Sequence, residues 1–334
     1  MSLVVLGLGV FAIATGLLLR FYAYPALAKI PHNPNTTAVA QGSGITALVY
    51  VEKGSTSTPE IRRNLNLTSS TFVSGNMQAP EVKEGSDVTS WIEATRVRDD
   101  DNGLTVNASV RELCLDRFTA EAVAPCTNQY VQKTKEVGKD TKVPGTRGQV
   151  QFPGLNFKFP FQTEKKTYPW YDSGVGKPVD AKFDGEDVVN GLPVYRFKQS
   201  VPPTDIDSRD VPGSLVGKPE ATVATRLYYQ VDKTLWVEPD TGALIKVRQS
   251  VKQELRTSDQ AAGRGTAVFD GTLELNKKTV DANVKTAEDN KSKLWLLTGL
   301  PVVLWIAGAV LLLVGVVLLL VGDRGTAGRR RATA

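Results

Sequence analysis

The sequence predicts a mainly β protein. An exported, barrel- or sandwich-like β-domain lies between two terminal transmembrane helices, and a short continuous helix precedes the C-terminal one. Three observations predict this. Leu294 to Val321 runs for 28 positions without a charge, and at ~1.5 Å per residue it exceeds a hydrocarbon core of ~30 Å. A second apolar run, Leu3 to Leu19, opens the chain. Between them, β-branched and aromatic runs alternate with polar residues and are separated by Gly, Pro, Asn and Asp turn signals. The resulting boundaries are 1–22 for the N-terminal anchor and 23–278 for the β-domain. Residues 279–321 form the juxtamembrane helix and last span, and 322–334 a basic tail.

The tail sets the expected orientation. Arg324, Arg329, Arg330 and Arg331 follow the last span, and arginines beside a span are retained on the cytoplasmic side. The long polar segment is then extracytoplasmic, in the plasma membrane's outer compartment. The first run has two readings. Arg20, Phe21, Tyr22 and Tyr24 suit an uncleaved anchor with interfacial aromatics. Ala26-Leu27-Ala28 has the small-x-small form of a signal cleavage site, although no basic region precedes the apolar run. Either way the middle of the chain is exported.

The chain's formal net charge is +5. Arg20, the four tail arginines and Asp323 supply four of those charges, so the exported part is nearly neutral. The basic balance therefore belongs to the membrane surface, where anionic lipid attracts it, and gives no argument for a nucleic-acid partner. Cys114 and Cys126 are the chain's two cysteines. An even number outside the cytoplasm reads as a disulfide, worth about 3 kcal/mol across so short a loop.

In chain order, 32–37 reads as a polar linker. Ile45–Val51 and Leu67–Ser74 read as strands. Val88–Val97 and Thr105–Leu113 flank Asp99-Asp100-Asp101-Asn102-Gly103, and Asn-Gly is a strong turn signal, so 88–113 is a β-hairpin. The Cys114–Cys126 loop follows, then a strand at Gln129–Lys135 and a Gly-, Pro- and Lys-rich loop at Lys139–Gly154. The next block is aromatic. Phe157, Phe159 and Phe161 lie at period two, which on a strand puts them on one face. Strands resume at Val179–Phe183, Val194–Val201, Ala224–Val231, Leu235–Val237, Leu244–Leu255 and Thr266–Leu275. Asn190-Gly191, Asp232-Lys233 and Pro239-Asp240-Thr241-Gly242 mark turns, and Val201–Gly213 reads as a loop. At Thr279–Lys293 the period changes: Val280, Val284 and Ala287 have helical spacing, with Thr279 as the expected cap. A weak echo links 191–201 with 242–251, 50 residues later.

Two longer blocks carry a resemblance. One is Tyr168-Pro169-Trp170-Tyr171-Asp172 with Val189-Asn190-Gly191-Leu192-Pro193-Val194-Tyr195-Arg196-Phe197-Lys198-Gln199 and Val201-Pro202. The other is Leu235-Trp236-Val237-Glu238-Pro239-Asp240-Thr241-Gly242. Set between two terminal spans, they resemble the actinobacterial PorA-type family of membrane proteins, which includes the lipoglycan-assembly protein LmcA. The resemblance implies an exported β-rich domain with an internal apolar cavity and a role in handling envelope lipid or lipoglycan. It carries over no catalytic residue.

The residues agree with a binding role more than with chemistry. Phe157, Phe159, Phe161, Trp170, Tyr195 and Phe197 are the candidates for lining a lipid cavity, since small-ligand sites are mostly apolar. The same residues also suit a filled core. Asp99–Asp101 lacks the spacing of a calcium loop, and Asp205, Asp207 and Asp210 lie in a proline-rich stretch. Gly7-Leu8-Gly9-Val10-Phe11-Ala12 has the form of a nucleotide fingerprint, but it lies inside a span with no preceding strand, where small residues permit close helix packing. His32 is the chain's one histidine and lies in the linker. No metal or cofactor is implied. The function expected is a non-catalytic, membrane-anchored protein that binds a lipid or lipid-linked glycan during envelope assembly. The alternatives are a scaffold for an envelope-assembly enzyme and a carboxylate-based glycan-processing enzyme.

Overall fold

A computed structural model describes residues 2–53, 56–133, 150–261 and 263–329. The chain divides into two compact units, 1–29 with 288–334, and 30–287.

The first unit is a helical hairpin. Helix α1 (Ser2–Leu18) passes through a π-helical turn (Leu19–Ala23) into α2 (Tyr24–Leu27). Its partner is the membrane-spanning part of α3 (Lys277–Arg329). The two runs are antiparallel. A Cβ on Gly9 would lie 2.9 Å from the carbonyl oxygen of Gly308, and one on Gly308 would lie 2.8 Å from that of Gly9. Gly16 abuts Trp305, and Gly315 abuts Leu6. Gly7, by contrast, faces open space. The small residues of the apparent nucleotide fingerprint are thus divided, with Gly9 serving helix contact.

The second unit is one antiparallel meander curled into a half-barrel. Its strands are β1 (Asn35–Lys53), β2 (Thr56–Gly75), β3 (Val88–Asp99), β4 (Thr105–Asp116), β5 (Tyr130–Lys133), β6 (Tyr168–Asp172), β7 (Lys177–Val189), β8 (Leu192–Pro212), β9 (Thr222–Val237), β10 (Leu244–Arg256) and β11 (Thr266–Leu275). The spatial order is β5-β4-β3-β2-β1-β11-β10-β9-β8-β7-β6. The two ends of the sheet meet through isolated bridges, Leu115 to Ala122, Glu121 to Leu155 and Leu155 to Trp170. A buried cluster of Trp91, Leu113, Leu115, Phe152 and Tyr171 fills the seam, joining β3 and β4 to β6.

One row of register pairs runs across the outer face of eight strands: Lys182, Lys198, Thr234, Arg248, Glu274, Gln41, Thr68 and Arg98. Opposite parity carries the core, such as Val97, Leu67, Leu273 and Ala40.

The 88–113 hairpin forms as predicted, with Gly103 at φ +75° in its turn. The Cys114–Cys126 disulfide is present, with its Cα atoms 5.6 Å apart. Several expectations are corrected. The 32–37 linker shortens, because β1 begins at Asn35. Val201–Gly213 is strand up to Pro212, paired with β9. Pro202 and Pro203 fall where the register shifts between Val201 and Thr204, so they interrupt the ladder at a bulge. Asp232-Lys233 is not a turn. Both residues lie inside β9, where Asp232 accepts from Ser200 and Lys233 reaches Asp172. The helix starts at Lys277, and its cap is Asn276, whose Oδ1 accepts the Thr279 N–H at 2.9 Å. Thr279 Oγ1 instead accepts from Val39 N. The 50-residue echo corresponds to the starts of β8 and β10, which flank β9 on either side. The expected strand at Gln129–Lys135 is observed at Tyr130–Lys133. Lys135, loop positions 139–149, Arg330 and Arg331 lie outside the described residues.

Candidate functional site

The aromatic interior is assembled from the middle of the chain. β6 places Tyr168 and Trp170 inward, β8 places Phe197, and β9 places Leu235 and Val237, all at period two. Segment 150–161 supplies Leu155 and Phe159. Phe159 is the hub. Its ring centroid lies 4.6 Å from Phe197, 5.2 Å from Trp170 and 5.2 Å from Tyr168. Phe183 and Tyr195 pack against the margin of the cluster, 5.6 Å from each other. These are the offset and edge-to-face separations that aromatic pairs favour.

Four of the six candidates therefore meet: Phe159, Trp170 and Phe197 in the cluster, and Tyr195 beside it. Phe157 and Phe161 do not join them and pack instead against the seam cluster, with Phe157 5.3 Å from Trp91. The one-face expectation assumed a strand. Residues 157–161 form no ladder, and Gln162 has φ +55°, so alternation does not govern this block. Sequence reasoning missed Tyr168, Leu155 and Phe183 as members of the cluster. Tyr168 was signalled by its spacing of two from Trp170.

The block is held by the turn between β9 and β10. Phe159 N donates to Gly242 O at 2.8 Å, Gln162 N to Asp240 O at 3.0 Å, and Thr163 N to Pro239 O at 2.7 Å. Glu238 stiffens that turn from within. It is fully buried, and its carboxylate accepts from Asp240 N, Thr241 N and Thr241 Oγ1. The block from Leu235 to Gly242 is thus a clasp for the aromatic segment.

Three further polar groups pin the interior. Gln199 is buried and donates to the carbonyls of Trp170 and Val179. Asp172 is also buried. One carboxylate oxygen accepts from Gly174 N and Val175 N, and the other from Tyr229 Oη and Lys233 Nζ. Burial, reinforced by the Asp172 charge and hydrogen bond, pushes the Tyr229 phenol well above its ordinary pKa. At the seam, Arg111 forks onto Glu93, donates to Asn156 Oδ1 at 2.9 Å, and lies over the rings of Phe157, Phe152 and Tyr171 at 5.2, 5.6 and 5.8 Å. Lys158 extends over Phe161, 3.5 Å from the ring centroid. Burial lowers its pKa to about 7, opposed by the nearby Glu238 charge.

Among the described residues, no group of three or more His, Cys, Asp or Glu could hold a metal ion. Asp205 pairs with Arg226 at 2.9 Å and Asp207 with Arg209 at 2.8 Å. Asp99 folds back on its own turn, accepting from Asp101 N and Asn102 Nδ2. His32 lies among linker contacts, its carbonyl accepting from Thr89.

Comparison with known proteins bears on this arrangement. A family model described as "Porin PorA" matches residues 1–317. A protein of Corynebacterium amycolatum named "Porin PorA" is 31% identical over 132 residues, 38% of this chain and 33% of that protein. One of Corynebacterium resistens with the same name is 25% identical over 199 residues, 44% of this chain and 47% of that protein. The matched stretches cover a third and just under half of those relatives' lengths. The family match takes in α1, most of the apolar run of α3, the aromatic interior and its clasp, and the chain belongs to the PorA family of actinobacterial membrane proteins.

Proposed function

We propose that this protein is a membrane-anchored, extracytoplasmic binding protein, without catalytic chemistry of its own, that holds a lipid or lipid-linked glycan during envelope assembly. The observation that carries the reading is the way the aromatic interior is closed. Phe159, Trp170 and Phe197 lie behind a seam joined by single bridges at Leu155 rather than by a ladder. The seam has fewer backbone hydrogen bonds than a strand pair, so the proposed route inward passes beside segment 150–161, whose Phe152, Leu155 and Phe159 would have to be displaced. An acyl chain entering there would replace ring contacts with its own apolar contacts. The resemblance to a family with a lipoglycan-assembly member supports the same reading.

A porin-type channel is poorly supported by this geometry. A barrel that spans a membrane turns an apolar belt outward. Here the outer row carries Lys182, Lys198, Arg248, Glu274 and Arg98, and apolar helices provide the membrane contact.

The test is retention and capture of lipid by the full-length protein. Purified in mild detergent from its membrane, it should keep a stoichiometric lipid or glycolipid detectable by mass spectrometry. A photoactivatable lipid should crosslink to 152–161 or to β6. Recovery without lipid, together with crosslinks confined to α1 and α3, would sink the proposal. A single crosslinked protein partner without lipid would favour the scaffold reading instead.

A further inference from the structure

Among the described residues of the β unit, the exposed large apolar side chains are Phe72 at 41%, Met77 at 53%, Phe118 at 37% and Val188 at 63%. Isolated exposed apolar residues need no explanation. Their distribution does. In an antiparallel meander each connection lies at one of two rims. Met77 is in the β2–β3 connection, Phe118 follows the end of β4, and Val188 is at the end of β7, beside the turn into β8. Register places all three at the same rim: Asn35 pairs with Ser74, Val88 with Asp116, Tyr195 with Val237 and Val189 with Leu192. Phe72 lies three residues before the end of β2, on the outer face beside Thr37.

Among the described residues the opposite rim exposes no large apolar side chain, while charge occurs at both rims, with Lys83, Glu84 and Asp87 exposed in the β2–β3 connection. The opposite rim carries Asp100, Asp101 and Asn102 between β3 and β4, Lys218 and Glu220 between β8 and β9, and Ser258 and Asp259 between β10 and β11.

The rim with the exposed apolar side chains is also where the chain enters and leaves the sheet. β1 starts there, and Ile30 N is fixed to Arg117 O at 2.8 Å, three residues after α2 ends at Leu27. Three residues reach at most about 10 Å. β11 ends at the same rim, and α3 begins two residues later. Local turns hold the apolar side chains out: Asp116 Oδ1 accepts from Phe118 N and Thr119 N, and Asn76 Oδ1 from Gln78 N.

We propose that this rim is a membrane-docking surface, with Met77, Phe118 and Val188 seated at the boundary between lipid headgroups and acyl chains, and Phe72 just above them. The occupant is the bilayer that the helices cross. The polar outer wall limits the depth, because Lys198 and Arg248 are exposed above this rim. Docking is a property of this rim alone. It does not depend on any ligand entering the interior, so a lipid-free interior would leave it standing.

Site-directed fluorescence on the full chain in phospholipid nanodiscs tests it. The native cysteines are paired, so M77C, F118C and V188C each give a single thiol for an environment-sensitive dye. N102C and E220C report the opposite rim. Where a variant loses the parent melting transition, Q78C or T119C replaces it. Nitroxide carried near the top of the acyl chain should quench the rim dyes at least about threefold more than those at 102 and 220. Aqueous iodide should show the reverse order. Equal iodide quenching at both rims would overturn the proposal. So would rim dyes shielded from both quenchers, since a protein would then be covering the surface.

Discussion

Phe159 and Gly242 meet backbone to backbone. Phe159 N donates to Gly242 O at 2.8 Å, and a Cβ on Gly242 would lie 2.1 Å from Phe159 O. Gly242 also has φ +70°. The glycine is required twice, for the turn and for the approach of the aromatic segment.

The substitution G242A should therefore cost about 2 kcal/mol or more, from the left-handed backbone and the clash together. Gly103 has a similar φ, +75°, but faces open space, so G103A should cost only about 1 kcal/mol. Thermal unfolding of the full chain in detergent, followed by tryptophan fluorescence, compares the two. Equal losses would remove the clasp from the account.

Arg111 ties the seam through Glu93, Asn156 and three rings. R111A should destabilise by about 2–4 kcal/mol, because Glu93 loses its partner where it is only partly solvated. R111K keeps the charge and loses the fork, so an intermediate loss is expected. Hydrogen exchange should rise first at 150–157. A uniform rise across the sheet would contradict the assignment of Arg111 to the seam.

Lys158 gives a pH signature. Its folded pKa, about 7, lies below its ordinary value of 10.5, so between those values the unfolded chain binds more protons than the folded one. The Lys158 contribution to stability should then rise with pH from about 7 to 10.5 and stay flat below. K158M should flatten that rise and raise the melting temperature at pH 7. An unchanged slope in the variant would assign the effect to other groups.

The helical hairpin depends on Gly9 and Gly308. G9L should weaken the α1–α3 contact by about 1–2 kcal/mol, whereas G7L, with open space around it, should be neutral. Oxidative crosslinking of an L6C/G315C pair in membranes reads this out. Equal crosslinking in G9L, G7L and the parent would refute the packing.

Much of this structure was legible from period and punctuation. Leu294–Val321, the 88–113 hairpin, Cys114 with Cys126 and the turn at Pro239–Gly242 each carry their signal within a few residues. Other features depend on partners far away in the chain. Asp232-Lys233 reads as a turn until β8 and β10 flank it and Asp172 receives Lys233. Pro202-Pro203 reads as a loop until a register shift accommodates it. The length of β1 was hidden by Gly42-Ser43-Gly44, which break alternation because the strand shifts register there. The candidate site was half legible. Trp170, Tyr195 and Phe197 lie on strands, where period two applies, while Phe157 and Phe161 lie on an irregular segment that splits the aromatic block between two clusters.

The antiparallel pairing that sets Leu6 beside Gly315 has a practical corollary. Were both helices to cross one bilayer, their opposite directions would leave the residues before Leu6 and those after Gly315 facing one aqueous phase. A reporter enzyme fused to either terminus should be active or silent together, and a single pair of fusions would reveal which side of the membrane the β unit inhabits.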